Sequence, residues 1–171
     1  MFTREPGGTP LGEKIRDLLI DPLGQMSHET ESLLLNASRA ELVDKVIEPA
    51  LREGRLVVCD RFWDATVAYQ GYGRGIPIES LMPITMYAAR RLSPDLTFLL
   101  DIPVDVSRQR LRGRSADRLE GEAGAFHERV AEGYRRLAAA EPNRFVVLDG
   151  TRPETELAVH VRTAVLSRWR G

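Results

Sequence analysis

Three short apolar runs constrain this chain more than any other feature. They are Arg55-Leu56-Val57-Val58-Cys59-Asp60, Leu96-Thr97-Phe98-Leu99-Leu100-Asp101 and Arg144-Phe145-Val146-Val147-Leu148-Asp149. None alternates apolar with polar residues, so each reads as a strand covered on both faces. Helical stretches separate them, and a β-α-β-α order implies an α/β fold with a parallel sheet. Phe2-Thr3-Arg4 looks like the tail of a further strand, followed at once by a Pro-Gly-Gly turn. Strands are therefore expected near 1–4, 55–60, 96–101 and 144–148.

The helices follow from spacing. Residues 28 to 53 carry Leu34, Leu35, Leu42, Val43, Val46, Ile47 and Leu51, an apolar face interrupted only by Pro49. A helix over 103–112 begins with Pro103, which suits a first turn. Over 123–140, Phe126, Val130, Tyr134 and Leu137 form one stripe. The helix over 153–169 starts with Pro153 and Glu154 and ends among arginines, which complements its dipole. Gln70 to Pro77 and Gly113 to Gly124 read as working loops. The 171 residues form a single domain, with 112–124 as a lid segment.

Composition sets the class. Hydrophobic residues make up 43% and charged residues 29% of the chain, the balance of a globular protein. No apolar run approaches the roughly 20 residues of a membrane span, and the first residues lack the apolar core of a signal peptide. Cys59 is the sole cysteine, and His28, His127 and His160 stand far apart, so no zinc spacing exists. These features point to a cytoplasmic protein with no membrane partner. A net charge of -1 argues against nucleic acid as a partner. Lys14 and Lys45 are the only lysines among 24 cations, and the rest are arginines, which suit two-point recognition of phosphate.

In open parallel sheets, ligands gather at the carboxyl ends of the strands. Asp60, Asp101, Asp149-Gly150 and Arg4-Glu5 all fall there. An Asp at such an end is the usual holder of Mg²⁺ in phosphoryl transfer, so Asp60 is the candidate metal-binding acid, and Arg61 beside it the candidate phosphate-binding cation. Farther on, Arg108, Arg110, Arg112, Arg114 and Arg118 crowd into a segment broken by Gly113. A lid arginine can stabilise charge on a transferring phosphoryl group, which makes Arg112, Arg114 and Arg118 the catalytic candidates.

The order of motifs is more specific than any one of them. Thr3-Arg4-Glu5-Pro6-Gly7-Gly8-Thr9 precedes Asp60-Arg61-Phe62, then Tyr69-Gln70-Gly71-Tyr72-Gly73-Arg74-Gly75, then Asp117-Arg118-Leu119-Glu120 with Phe126 and Gly133-Tyr134. In this order and spacing the whole chain resembles the bacterial thymidylate kinases. The resemblance implies a P-loop nucleoside monophosphate kinase-like parallel sheet with flanking helices. It implies transfer of a phosphoryl group from ATP to dTMP with Mg²⁺, small-molecule nucleotides as partners, and a homodimer. By the same resemblance, Arg39 hydrogen-bonds the thymine edge, Arg16 lies beside the base, and Thr66 and Gln70 complete its recognition. Arg61 holds the dTMP phosphate, Tyr69 and Tyr134 line the deoxyribose, and Glu5 lies near the sugar and phosphate on a tight Glu5-Pro6 turn. Asp149, Thr151 and Arg152 belong to the loop beside the adenine. Thymine offers carbonyl acceptors and one N–H donor, to which arginine and an amide such as Gln70 are suited. Many relatives stack Phe on the base where this chain has Leu35. Leucine covers the ring but forgoes the aromatic contribution, roughly 0.5–1.5 kcal/mol.

One expected element is absent from these 171 residues. A P-loop reads GxxxxGK[ST], but Ile15 follows Lys14 and Val46 follows Lys45. In the family that loop precedes the Thr3–Thr9 turn by a helix and a strand, so a first strand and helix are expected to be missing here. Two readings follow: a dTMP kinase whose donor half lies upstream, or a catalytically inactive remnant of the fold that binds a nucleotide or a partner. A kinase for another nucleoside monophosphate is a third, disfavoured by Arg39, Tyr69 and Gln70.

Overall fold

The computed structural model describes residues 1–111 and 117–168. Its four strands are all parallel. Strand β1 (Phe2–Arg4) pairs with β2 (Val58–Asp60), with Arg4 opposite Asp60. Strand β3 (Thr97–Asp101) pairs with β4 (Phe145–Asp149), with Asp101 opposite Asp149. The register thus aligns the final residues within each pair, an arginine with an acid in the first and two acids in the second.

Two expectations about the strands need correction. The strands form two separate two-stranded sheets, since β2 and β3 share no ladder. They are also not covered on both faces: Val58, Leu100 and Val147 are about half exposed and Phe2 is 85% exposed. The physical reason is shared. A parallel strand is shielded by neighbours on both edges and by elements on both faces, and each of these strands has one neighbour among the described residues. The run from Arg55 also enters the ladder late, at Val58, where its N–H donates to the Met1 carbonyl at 2.9 Å.

Helix α1 (Pro10–Ile20) is capped by Thr9, whose hydroxyl accepts from the Gly12 N–H at 2.9 Å. Helix α2 (His28–Leu42) is capped by Ser27 through the Thr30 N–H. It runs through a π-helical turn (Val43–Ile47) into α3 (Glu48–Arg52). That widening has a local cause: Pro49 has no N–H to donate to the preceding turn, and the Glu48 N–H reaches back to the Val43 carbonyl instead. Leu42 and Val43 are fully buried on this face, with Ile47 beside them.

Helix α4 (Trp63–Thr66) also continues as a π-helical turn, Val67–Gly73. The expected loop over 70–77 therefore begins only after Gly73. Buried Val67 and Ala68 hold the turn inward, and it packs along α7 (Gly124–Ala140). Contact is close because glycine stands on each side. A Cβ on Gly73 would lie 2.7 Å from the Phe126 ring, and one on Gly133 would lie 2.7–2.9 Å from the side chain of Tyr72. The atoms facing Gly133 include the Tyr72 Cβ, which cannot swing away. Gly133→Ala is expected to lower the unfolding free energy by about 1–3 kcal/mol, the usual penalty of overpacking. Urea denaturation of the variant checks this, and a stabilised variant would contradict the packing.

Helices α5 (Ile78–Ala88), α6 (Val104–Arg110) and α8 (Glu154–Arg168) complete the chain. The apolar stripe expected on α7 is present, with Phe126 and Val130 buried and Tyr134 and Leu137 partly so. At the far end of β4, Arg144 is gripped by Asp64 through two bonds of 2.7 Å and lies between the rings of Trp63 and Phe145. No described helix is long and apolar enough to cross a membrane.

Candidate nucleotide site

The turn after β1 builds the first part of the site. The Glu5-Pro6 peptide is cis, and Gly7 and Gly8 take φ of 129° and 77°. The turn is tied down by the Gly7 N–H to Ser38 Oγ at 3.1 Å and the Gly8 N–H to Glu13 Oε1 at 2.8 Å. Arg16 donates to the Pro6 carbonyl at 3.1 Å.

Glu5 points into a buried cluster with Arg39 and Thr66. The Arg39 Nε–H and Nη2–H groups hold the Glu5 carboxylate at 2.9 and 2.7 Å. Arg39 Nη2 also donates to Thr66 Oγ1 at 2.8 Å and Nη1 to Asn36 Oδ1 at 2.9 Å. A guanidinium has five N–H donors, so among the described residues these bonds leave one Nη1 hydrogen uncommitted. Arg39 is 1% exposed and Glu5 6% exposed. Burial pushes the Glu5 carboxyl above its usual range, against the pull of Arg39. Leu35, on the same helix, is half-buried.

A second cluster surrounds Glu31, which is fully buried on α2. It accepts from Gln70 Nε2 at 2.8 Å, Arg74 Nη2 at 3.0 Å and Arg118 Nη1 at 2.7 Å. Arg118 also donates from Nε to the Leu19 carbonyl at 3.0 Å, and Arg74 pairs with Glu122. Burial works to raise the Glu31 pKa, but the hydrogen bonds from Arg74, Gln70 and Arg118 outweigh it and hold the carboxyl below its ordinary range. A carboxyl lowered in the fold adds stability above its unfolded pKa, about 4.3. That stability is lost as pH falls through the folded value. The gap in unfolding free energy between the native chain and Glu31→Gln should therefore narrow as pH falls below about 5. A constant gap in denaturant titrations would contradict this.

A third group meets at the end of β2. Asp60 is exposed there, and Arg61 takes φ of 66°, a left-handed conformation in which a non-glycine residue is strained. That backbone aims its guanidinium over the Tyr69 ring, 5.1 Å from the centroid, with Nη2 3.3 Å from the Tyr69 hydroxyl. Tyr69 meets Tyr134 edge-on at 6.4 Å. Burial raises the Tyr134 phenol well above its ordinary pKa, so it stays neutral and able to donate. Both tyrosines line a cavity of about 180 Å³ that runs to Asp101, Arg108 and His127.

The donor-side candidates stand apart. Asp149 accepts from the Thr151 N–H at 3.0 Å and hydroxyl at 2.6 Å and from Arg152 at 3.3 Å, all on an exposed turn after β4. The structure thus brings Glu5, Arg39 and Thr66 together, joins Arg61 to Tyr69 and Tyr69 to Tyr134, and seats Gln70 with Arg118 at Glu31. Arg39, Arg61 and Gln70 do not line the cavity that Tyr69 and Tyr134 share. Arg112 and Arg114 lie outside the described residues. Glu31 and Asn36 escaped the sequence reading. The signal for Asn36 was its three-residue spacing from Arg39, which places both on one helix face. Glu31 had none, because an acid in a first helical turn reads as a dipole complement.

The comparisons with known proteins agree with the motif order. The family model described as thymidylate kinase matches residues 1–161. A thymidylate kinase of Pelotomaculum thermopropionicum is 50% identical over 157 residues, covering 90% of this chain and 73% of the relative. One from Deinococcus radiodurans is 48% identical over 167 residues, covering 97% of this chain and 81% of the relative. The crystal structure of thymidylate kinase from Ehrlichia chaffeensis superposes with a TM-score of 0.75 at 32% identity, covering 96% of this chain and 79% of that one. With a family match across most of its length and relatives near half identity, this chain belongs to the thymidylate kinase family.

Proposed function

We propose that this chain is a dTMP kinase domain, transferring the terminal phosphoryl group of ATP to dTMP to give dTDP. The observation that carries this is the strand-end group: Asp60, then Arg61 held in a strained backbone over Tyr69, with Tyr134 behind it. Arg61 is the cation for the acceptor phosphate, and the Tyr69–Tyr134 pair is the wall against the deoxyribose. Arg39, with Thr66 fixed beside it, meets the base through its remaining Nη1 hydrogen, and Gln70 reads the same edge. Arg16 steadies the Glu5-Pro6 turn, and Leu35 covers the ring. On the donor side, Asp149, Thr151 and Arg152 neighbour the adenine, and the lid over 112–124 brings arginine to the transferring group.

Mg²⁺ characteristically binds through one or two carboxylates plus substrate phosphates. Asp60 fits that role, because it is exposed at the strand end, and the described residues contain no larger cluster of metal-ligating side chains. When bound, the ion neutralises charge between the two nucleotides. The protein's own contribution is to hold acceptor phosphate and base so that the attacking oxygen is in line.

A second reading is favoured by one sequence fact. Residues 1–171 contain no GxxxxGK[ST], so on their own they hold dTMP while turning it over slowly, as a nucleotide-binding form of the same fold. We place the working protein in the cytoplasm as a homodimer. The test is a nucleotide panel by calorimetry. dTMP is expected to bind best among the monophosphates, and ATP far more weakly. Equal affinity for dTMP and dGMP would overturn the acceptor assignment.

A further inference from the structure

Glu31 has no substrate role of its own in the function proposed above, yet it hydrogen-bonds a residue that has one. Its carboxylate accepts three side chains in a fully buried setting, and Gln70 is one of them, through Nε2 at 2.8 Å. A carboxylate has acceptors only, whereas an amide has one donor end and one acceptor end. Glu31 therefore admits only the Nε2 end of Gln70. The Oε1 end is left buried with no hydrogen-bond partner among the described residues. An orphaned buried carbonyl is costly, and such groups in native folds call for a reason.

We propose that Glu31 is a positioning residue that sets the polarity of the Gln70 amide, so that position 70 selects a base donating a hydrogen bond. Thymine carries an N–H at N3, and cytosine carries an acceptor there. The inference rests on Gln70 facing the base, as proposed above. Glu31→Gln reverses the device without changing its size. The oxygen of the new amide belongs where Glu31 Oε2 accepts from Arg74 Nη2 at 3.0 Å and Arg118 Nη1 at 2.7 Å, since Oε1 accepts from only one arginine donor, Arg74 Nε, at a longer 3.2 Å. Its NH₂ then faces Gln70, which must turn its own oxygen toward residue 31 and present Nε2 to the ligand.

The experiment is calorimetric binding of dTMP and 5-methyl-dCMP to the native chain and to Glu31→Gln. The two ligands share methyl, sugar and phosphate. Their difference at C4 acts equally on both proteins, so a change in their affinity ratio isolates N3. In the native chain dTMP is preferred. In Glu31→Gln, dTMP should weaken about tenfold and 5-methyl-dCMP tighten by a similar factor, each the value of one hydrogen bond. A merely structural role would weaken both ligands in parallel, and an unchanged ratio overturns the proposal. Should circular dichroism show Glu31→Gln unfolded, Glu31→Gln with Arg118→Met removes the stranded cation together with the anion, and the same ratio decides. A native chain without preference for dTMP overturns instead the placement of Gln70 on which the inference stands.

Discussion

Residues 1–171 alone are expected to release ADP from ATP and dTMP at less than about a hundredth of the rate of the same chain carrying a strand–GxxxxGK[ST]–helix segment ahead of Met1. Phosphoryl transfer depends almost wholly on positioning and on stabilising developing charge. Asp60 and Arg61 supply part of this at the acceptor, and Arg39 with Tyr69 and Tyr134 places the nucleotide. None of them replaces the ring of backbone N–H groups and the lysine that a P-loop sets around the β- and γ-phosphates. The two lysines present are unsuited. Lys14 sits within α1, and Lys45 lies in the π-helical turn paired with Asp44 at 2.8 Å. Each lost contact of this electrostatic kind costs about 10²–10³ in rate, and several are involved. A coupled ADP-release assay on both chains, with Asp60→Asn in the longer one as control, makes the measurement. Robust turnover by residues 1–171 would show that the loop is dispensable. A longer chain that stays inactive would overturn the kinase reading itself.

Much of this architecture was legible in the sequence because its signals are local. Apolar runs closed by Asp mark parallel strands, and each pair does align its final residues, Arg4 with Asp60 and Asp101 with Asp149. The stripe of Phe126, Val130 and Tyr134 marks the buried face of α7. What escaped depends on partners distant in sequence. Gly71 and Gly73 read as loop residues, yet the π-helical turn persists because Phe126 and Gly133, some 55 to 60 residues on, leave room only for a close helical approach. Glu31 meets Gln70, Arg74 and Arg118, and nothing in its own neighbourhood announces them. Arg118 shows the same effect in reverse. Its place in a cluster of arginines suggested a mobile cation, whereas its bonds to Glu31 and the Leu19 carbonyl tie it to α2 and the end of α1. The resemblance gives Arg39 to the thymine edge, but most of its donors are already spent on Glu5, Thr66 and Asn36.

That last point sets the second large effect. Arg39→Ala is expected to damage the fold before it damages recognition. Arg39 and Glu5 are almost wholly buried, and two of the bonds joining them are 2.9 Å or shorter. Removing one partner of a buried ion pair leaves the other charge stranded, a loss of about 3–5 kcal/mol. Thr66 and Asn36 lose their partner as well. Against a typical total stability of about 5–15 kcal/mol, the variant should be largely unfolded well below the native melting temperature. The loss should also depend on pH in a defined sense. With Arg39 gone, burial alone acts on Glu5 and raises its folded pKa further. The penalty is then greatest near neutral pH, where the unfolded chain ionises freely, and shrinks as pH falls below the unfolded value of about 4.3, where both states are protonated. Arg39→Lys should recover little, because one ammonium on a flexible stem cannot reproduce a fork that reaches Glu5, Thr66 and Asn36 together. Glu5→Gln with Arg39→Met removes both charges and should be more stable than Arg39→Ala. Urea titrations of the four proteins at neutral and acid pH decide the matter. A loss under about 1 kcal/mol in Arg39→Ala, the range of an exposed pair, would show that the pair is not buried as described. A folded Arg39→Ala that binds dTMP as tightly as the native chain would remove Arg39 from base recognition altogether.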